Sequence, residues 1–230
     1  MALTDNQIER YSRQIIVPGV GGRAQERLLA SCVALVAEPI DAAGALAYLA
    51  GAGVGRIVVH PATDPSSYSE TVARMRDLNP DVRAVIASDE ASDRSDLVLA
   101  LIGGAPAREA AARIWRPRRL VAQGTRAVKF CPAVVARLDE PARIAILPGP
   151  PPCPLCAEAD LLTPTARRAA HAGVIAMVAI VEAFKLLAGF AGRTTGAELI
   201  EFIGYACAPH ALGRRRPSGG GPACCACEGP

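Results

Sequence analysis

Short apolar runs alternate with helical-period segments along most of the chain. Ile8, Tyr11 and Ile15 recur at helical spacing and Leu28-Leu29 follow a Gly-Gly break, so 5–14 and 22–30 read as short helices ahead of the main sheet. Ser31 to Val36 is a short β-rich run, Ala42 to Ala52 is alanine-rich and helical, and Arg56 to His60 is β-branched again, which makes a βαβ unit. A second cycle follows, with a helix from Ser69 to Leu78 ended by Asn79-Pro80, strands at Val82 to Ile86 and Leu97 to Ile102, a helix from Ala107 to Trp115 and a strand at Leu120 to Ala122. Such alternation predicts an α/β fold with a mostly parallel sheet and helices on both faces. Ala127 to Ile146 reads instead as an antiparallel extension, with Asp139-Glu140-Pro141 as its turn, and Pro150, Pro151 and Pro152 stiffen a linker beyond it. Ala172 to Val181, the longest apolar stretch, is too short for a bilayer and runs into Glu182 and Lys185, so it predicts a buried helix.

Composition agrees with a globular chain. Of 230 residues, 51% are hydrophobic and 20% charged, enough apolar surface for a core. The net charge of +3 is too small to draw the protein to nucleic acid or an anionic membrane, and Arg214-Arg215-Arg216 reads as a solvated loop. Met1 to Arg10 is polar and lacks the apolar segment of a signal peptide, so a cytoplasmic location is expected.

The cysteines carry the strongest chemical signal. Cys153-Pro-Leu-Cys156 and Cys224-Cys225-Ala226-Cys227 are two C-x-x-C pairs, able to supply four thiolates to one closed, structural tetrahedral zinc. The competing readings are a disulfide, disfavoured in a reducing compartment, and a redox pair, disfavoured because neither opens a helix after a suitable strand. Cys225 reads as a bystander, and Cys32, Cys131 and Cys207 as small core residues. His60, His171 and His210 show no metal or catalytic spacing, and Trp115 reads as a helix anchor. Gly51, Gly53 and Gly55 follow a helix rather than open one, so they predict a turn into the second strand and not a phosphate cradle.

In this order, Arg10-Tyr-Ser-Arg-Gln-Ile15, Tyr48-Leu-Ala-Gly-Ala-Gly-Val-Gly55, Asp96-Leu-Val-Leu99, the segment from Gly173-Val-Ile to Glu182-Ala-Phe-Lys-Leu-Leu-Ala-Gly189 and both cysteine pairs resemble the MoeB, ThiF and HesA proteins, relatives of the ubiquitin-activating enzymes. The resemblance covers nearly the whole length. It implies a single Rossmann-like domain over 1–230: N-terminal helices at 1–30, a core at 31–125, and antiparallel strands, a buried helix and a zinc-binding tail at 126–230. It also implies a dimer, a ubiquitin-like or sulfur-carrier protein as client, and Arg13 as a residue given in trans to ATP on the dimer partner.

The departures from that pattern concern the nucleotide. In place of a glycine-rich loop stand Ala37, Glu38, Pro39, Ile40, Asp41 and Ala42. Pro39 has no N–H to offer phosphate, Cβ atoms crowd the path, and Glu38 and Asp41 repel an anion. The family's ribose-binding acid falls at Pro61, with Asp64 the nearby substitute; its lysine falls near Ser67, and its magnesium aspartate at Gly103. The chain's two lysines are Lys129 and Lys185. These losses argue against ATP and magnesium binding by this chain. Ala157 to Ala172 holds no cysteine for a thioester. Three readings remain: a non-catalytic subunit, homodimeric or paired with an intact homologue, that lends Arg13; an adenylyltransferase with an altered nucleotide site; and a carrier- or peptide-binding module without nucleotide.

Overall fold

The computed structural model describes residues 2–87, 95–114, 118–122, 125–129, 132–139, 142–147, 172–189, 198–202 and 212–215. Its helices are α1 (Asp5–Arg10), α2 (Ser12–Ile15), α3 (Gly21–Ala30), α4 (Pro39–Gly51), α5 (Ser66–Leu78), α6 (Ala105–Ile114) and α7 (Ala172–Ala188). Its strands are β1 (Cys32–Ala37), β2 (Arg56–Pro61), β3 (Arg83–Ile86), β4 (Leu97–Ile102), β5 (Arg118–Ala122), β6 (Thr125–Lys129), β7 (Ala133–Arg137), β8 (Arg143–Leu147), β9 (Glu198–Phe202) and β10 (Leu212–Arg215).

One 8-stranded sheet runs in the order β10-β9-β8-β7-β4-β1-β2-β3. β3, β2, β1, β4 and β7 are parallel, and β8, β9 and β10 continue the sheet antiparallel. The strand order reverses between β1 and β4, which opens a crevice at their C-terminal ends, the usual ligand position in such sheets. β1 and β4 are apolar throughout because both faces are covered. Val33, Leu35, Ile57, Val59, Leu97 and Leu99 pack with α3, α4, α5 and α7. The opposite face, Ala34, Val36, Val98, Ala100 and Ile102, packs with Ala110 of α6.

Three expectations change. Ala133–Arg137 pairs parallel to β4 rather than antiparallel, because the β5–β6 hairpin, a separate two-stranded sheet, supplies the return that lets the chain re-enter in the core direction. Leu120 to Ala122 therefore belongs to that hairpin and not to the core. β9 and β10, with mixed residues such as Glu198, Glu201, Arg214 and Arg215, carry no clear period; Arg214 and Arg215 lie in a strand, not a loop. Pro150 to Pro152, Trp115, Cys131, Cys207, His171 and His210 lie outside the described residues, as do two residues of the 139–141 turn. Among the described residues no helix is long and apolar enough to cross a membrane.

The glycine segment after α4 is a packing device at the N-terminal end of β2. Gly53 has φ +83°, and a Cβ there would meet the Tyr11 ring at 2.8 Å. At Gly55 a Cβ would lie 1.8 Å from the Leu29 carbonyl oxygen, so only glycine lets α3 and the start of β2 touch.

Candidate functional site

The crevice is built on the C-terminal ends of β1 and β4. α4 begins at Pro39, so the segment from Ala37 to Ala42, expected as a loop, is the end of a strand, one N-cap residue and the first turn of a helix. The cause is local: Glu38 is extended (φ −70°, ψ 157°) and Pro39 occupies the first helical position, where its fixed φ favours helix. A free helix N-terminus offers anions its unbonded N–H groups. Here Pro39 has none, and Asp41 N–H is already turned back to the Glu38 carbonyl at 3.0 Å. Carboxylates stand where the anion would be. Asp41 is buried in the first turn, and Glu38 reaches across the crevice to the β4–α6 loop, where a Cβ on Gly104 would sit 2.8 Å from its Oε1. Both acids favour the positive end of the helix dipole and disfavour phosphate.

Tyr68 closes the neighbouring edge. Its buried hydroxyl donates to the Ala37 carbonyl (2.8 Å) and accepts from the Ala62 N–H (3.1 Å), joining the ends of β1 and β2. Nothing in the hydrophobic period of α5 separates this tyrosine from an ordinary core residue. Asp64, the candidate ribose acid, accepts the Ser66 N–H at 3.3 Å and the Ser66 hydroxyl; the hydroxyl bond above all holds its carboxyl below the usual range, and it serves as the start of α5. Pro61 ends β2, Ser67 lies exposed in the first turn of α5, and Gly103 follows β4 without a carboxylate. Lys185 pairs with Glu182 at 2.7 Å near the C-terminal end of α7, away from the crevice. Arg137, the register neighbour of Ile102, is held by both oxygens of Asp139.

Arg13 lies at the other end of the sheet. α1 and α2 are tied down beside the N-terminal ends of β2 and β3 by the residues around it. Tyr11 is buried and directs its hydroxyl to Asp81 Oδ2 (3.1 Å), while Asn79 Nδ2 donates to that hydroxyl (2.9 Å) and to the Ala50 carbonyl (2.7 Å). Burial above all, with Asp81 adding to it, holds the Tyr11 phenol above its usual range. Arg10 Nε lies 3.2 Å from Asp81, Gln7 donates to the same carboxylate (3.3 Å), and Gln14 donates to the Gly51 carbonyl (3.4 Å). Arg13 itself is exposed and makes no hydrogen bond or ion pair among the described residues. Six-residue β1 spans about 17 Å from first to last Cα, so Arg13 stands well away from its own crevice. Sequence reasoning singled out Arg13 and the segment from Ala37 to Ala42 but not Tyr68, Asn79 and Asp81, whose contacts depend on partners far away in the chain.

Other sequence-derived candidates divide cleanly. Asp96 of the Asp-Leu-Val-Leu segment accepts the Cys32 N–H at 2.8 Å and so aligns β4 with β1. Cys32 is partly buried at the start of β1. His60 is 8% exposed, its Nε2 has no partner among the described residues, and burial lowers its pKa to about 4. Cys153, Cys156, Cys224 and Cys227 lie outside the described residues, and among the described residues no group of three or more His, Cys, Asp or Glu could hold a metal ion.

No protein-family model matches the chain. In fold it is similar to the crystal structure of E. coli MccB with ATP, at TM-score 0.65 and 12% identity, covering 98% of this chain and 75% of that one. In sequence it is 28% identical over 233 residues to the sulfur carrier protein adenylyltransferase of Thermus thermophilus, covering 85% of this chain and 83% of that protein. It is 30% identical over 214 residues to the vegetative HesA protein of Trichormus variabilis, covering 82% and 79% of the two chains. With 30% identity over 82% of its length to the HesA protein, the chain belongs to the MoeB/ThiF/HesA family.

Proposed function

We propose that this chain is a non-catalytic subunit of an activating complex for a ubiquitin-like or sulfur-carrier protein, and that it lends Arg13 to ATP held by an intact homologue. The carrying observation is the division of the molecule into two unequal ends. Arg13 stands exposed and unpaired on a firmly tethered turn, while the crevice some 17 Å or more away presents Glu38, Asp41 and Pro39 to any phosphate. Adenylation joins a carrier carboxylate to the α-phosphorus and expels pyrophosphate, so its transition state needs cations and N–H donors on the phosphate oxygens. Among the described residues the first turn of α4 offers carboxylates and a proline where such groups are needed, whereas Arg13 has no anion beside it among the described residues. The client class follows the adenylyltransferase relative named above, whose name specifies a sulfur carrier protein.

The test reconstitutes the chain with a glycine-loop homologue from the same genome and its carrier. Pyrophosphate exchange is expected only in the mixture, and Arg13→Ala is expected to slow it on the order of 10³-fold with assembly intact. An unchanged rate removes the donor role. A second reading, an adenylyltransferase with an altered site, is supported by the relatives named as adenylyltransferases. Micromolar ATP affinity of the chain alone by calorimetry, with carrier-dependent pyrophosphate exchange, would put it first.

A further inference from the structure

The outer edge of β3 forms one wall of a groove, and we infer that this groove docks an extended, acidic segment of a partner protein as an added strand beside β3. β3 ends the sheet order and pairs with β2 alone among the described residues. Arg83 N–H donates to the Gly55 carbonyl (2.9 Å) and Ala87 N–H to the Val59 carbonyl (2.8 Å), so residues 83, 85 and 87 turn their backbone groups toward β2. Along a strand these directions alternate, and Ala84 and Ile86 therefore turn N–H and C=O outward, where a further strand would bond them. The second half of α5 is the other wall, and the groove between the two has a volume of about 480 Å³. Val72 and Arg76 line it from the helix, and Arg83, Ala84 and Val85 from the strand. Val72, Ala84 and Ile86 pack against the main core yet are only half-buried, so an added strand would complete their burial.

Charge selects the occupant. Arg76 and Arg83 are exposed and make no ion pair or hydrogen bond among the described residues. The acid in the lining, Asp81, is already occupied by Arg10 (3.2 Å), the Tyr11 hydroxyl (3.1 Å) and Gln7 (3.3 Å). Exposed Asp77 follows Arg76 on α5 but does not line the groove. The two arginines flank the edge on opposite sides. Arg76 lies on the α5 side with Ala84 and Ile86, whereas Arg83 shares the other face with Val85. Side chains alternate along a strand, so a docked segment with acids at consecutive positions sends one to each arginine, and β-branched neighbours fit against Val72 and Val85. A second copy of this chain, docked edge to edge, would bring another Arg76 and Arg83 to the same place, which like charge disfavours. β3 stands two strands, about 10 Å, out from β1, so this edge is separate from the crevice and from Arg13.

The test uses the full chain alone and a fluorescein-labelled synthetic peptide, Thr-Val-Glu-Glu-Val-Thr-Val. Fluorescence anisotropy is expected to give a Kd on the order of 10–100 μM that weakens with added salt. Ala84→Pro removes an outward N–H and sets a ring in the path of a new strand, while the bonds of residues 83, 85 and 87 to β2 remain. It is expected to weaken binding about tenfold or more with an unchanged far-ultraviolet circular dichroism spectrum, as is Arg76→Glu combined with Arg83→Glu. The same peptide with lysine in place of glutamate is expected not to bind at about 1 mM. The peptide itself supplies a second measurement that needs no variant to fold. N-methylation of alternate residues in one phase should abolish binding, and in the other phase should leave it within about threefold, because one edge of the peptide bonds to β3. Absence of binding by the glutamate peptide at about 1 mM overturns the inference, as does equal binding of the lysine peptide. Indifference both to Ala84→Pro and to the phase of methylation overturns it as well, leaving charge attraction without strand addition. Self-association of the chain in competition with the peptide would assign the edge to a second copy and overturn it too.

Discussion

Removing Asn79 should loosen the whole N-terminal mount. Asn79 is 2% exposed, and its side chain makes three bonds, two of them to distant segments, the Ala50 carbonyl at the end of α4 (2.7 Å) and the Tyr11 hydroxyl (2.9 Å), and one local, from the Asp81 N–H (3.1 Å). Asn79→Ala breaks all three; the Tyr11 hydroxyl loses its donor, while the Ala50 carbonyl keeps the Gly53 N–H (3.0 Å). Each net hydrogen bond contributes about 1 kcal/mol, so the three together predict a loss of about 2–3 kcal/mol. Tyr11→Phe keeps the ring over Gly53, while Asp81 retains Arg10 and Gln7, so that change should cost only about 1 kcal/mol. Urea denaturation followed by circular dichroism measures both, with the exposed Arg74→Ala (partner Glu70, 2.6 Å) as a control expected within about 0.5 kcal/mol of wild type. In the double variant the losses should not add, because the two side chains share one bond; coupling of about 1 kcal/mol is expected. A cost below about 1 kcal/mol for Asn79→Ala would refute the view that this asparagine seats the Arg13 helices.

His60 makes a pH prediction. Its folded pKa of about 4 lies below the ordinary 6.5, so the unfolded chain binds more protons between these values and stability falls as pH drops through that window. The fall from 6.5 to about 4 corresponds to roughly 3–3.5 kcal/mol at most, and His60→Leu should flatten the difference between pH 7 and pH 4.5 in denaturation midpoints relative to wild type. Gly55→Ala, with its Cβ 1.8 Å from the Leu29 oxygen, is expected to cost more than about 3 kcal/mol or to prevent folding, read by expression and thermal denaturation. About one zinc per chain is expected by elemental analysis, falling to none in Cys153→Ser with Cys224→Ser, and chelation should lower the thermal midpoint.

What could be read from the sequence divides along physical lines. β1, β2 and β4 were legible because strands buried on both faces have few polar residues to blur the run, and Leu97–Ile102 is buried from end to end. The close of α5 at Asn79-Pro80 was legible because a residue before proline avoids the helical region. The start of α4 was not: Pro39 and Asp41 read as parts of a loop stripped of glycine, although they are equally good first-turn residues, and the difference lies in the extended Glu38 before them. Arg13 was legible only through the segment around it. Its surroundings were not, because Tyr11, Asn79 and Asp81 are brought together by β-sheet order and have no common period.

The same first turn explains why the crevice and the fold oppose each other. A helix beginning Glu-Pro-Ile-Asp has proline preset at its first position and an acid near its positive end, each of which stabilises the start of α4. A phosphate cradle asks the reverse: unbonded N–H groups, no Cβ atoms and no carboxylate, conditions met by glycines that each cost about 0.5–1 kcal/mol in a helix. Bound phosphate offsets that cost only where phosphate is bound. In this chain Tyr68 joins the strand ends, Asp64 is spent on the start of α5 and Arg137 is held by Asp139, so groups around the crevice satisfy one another.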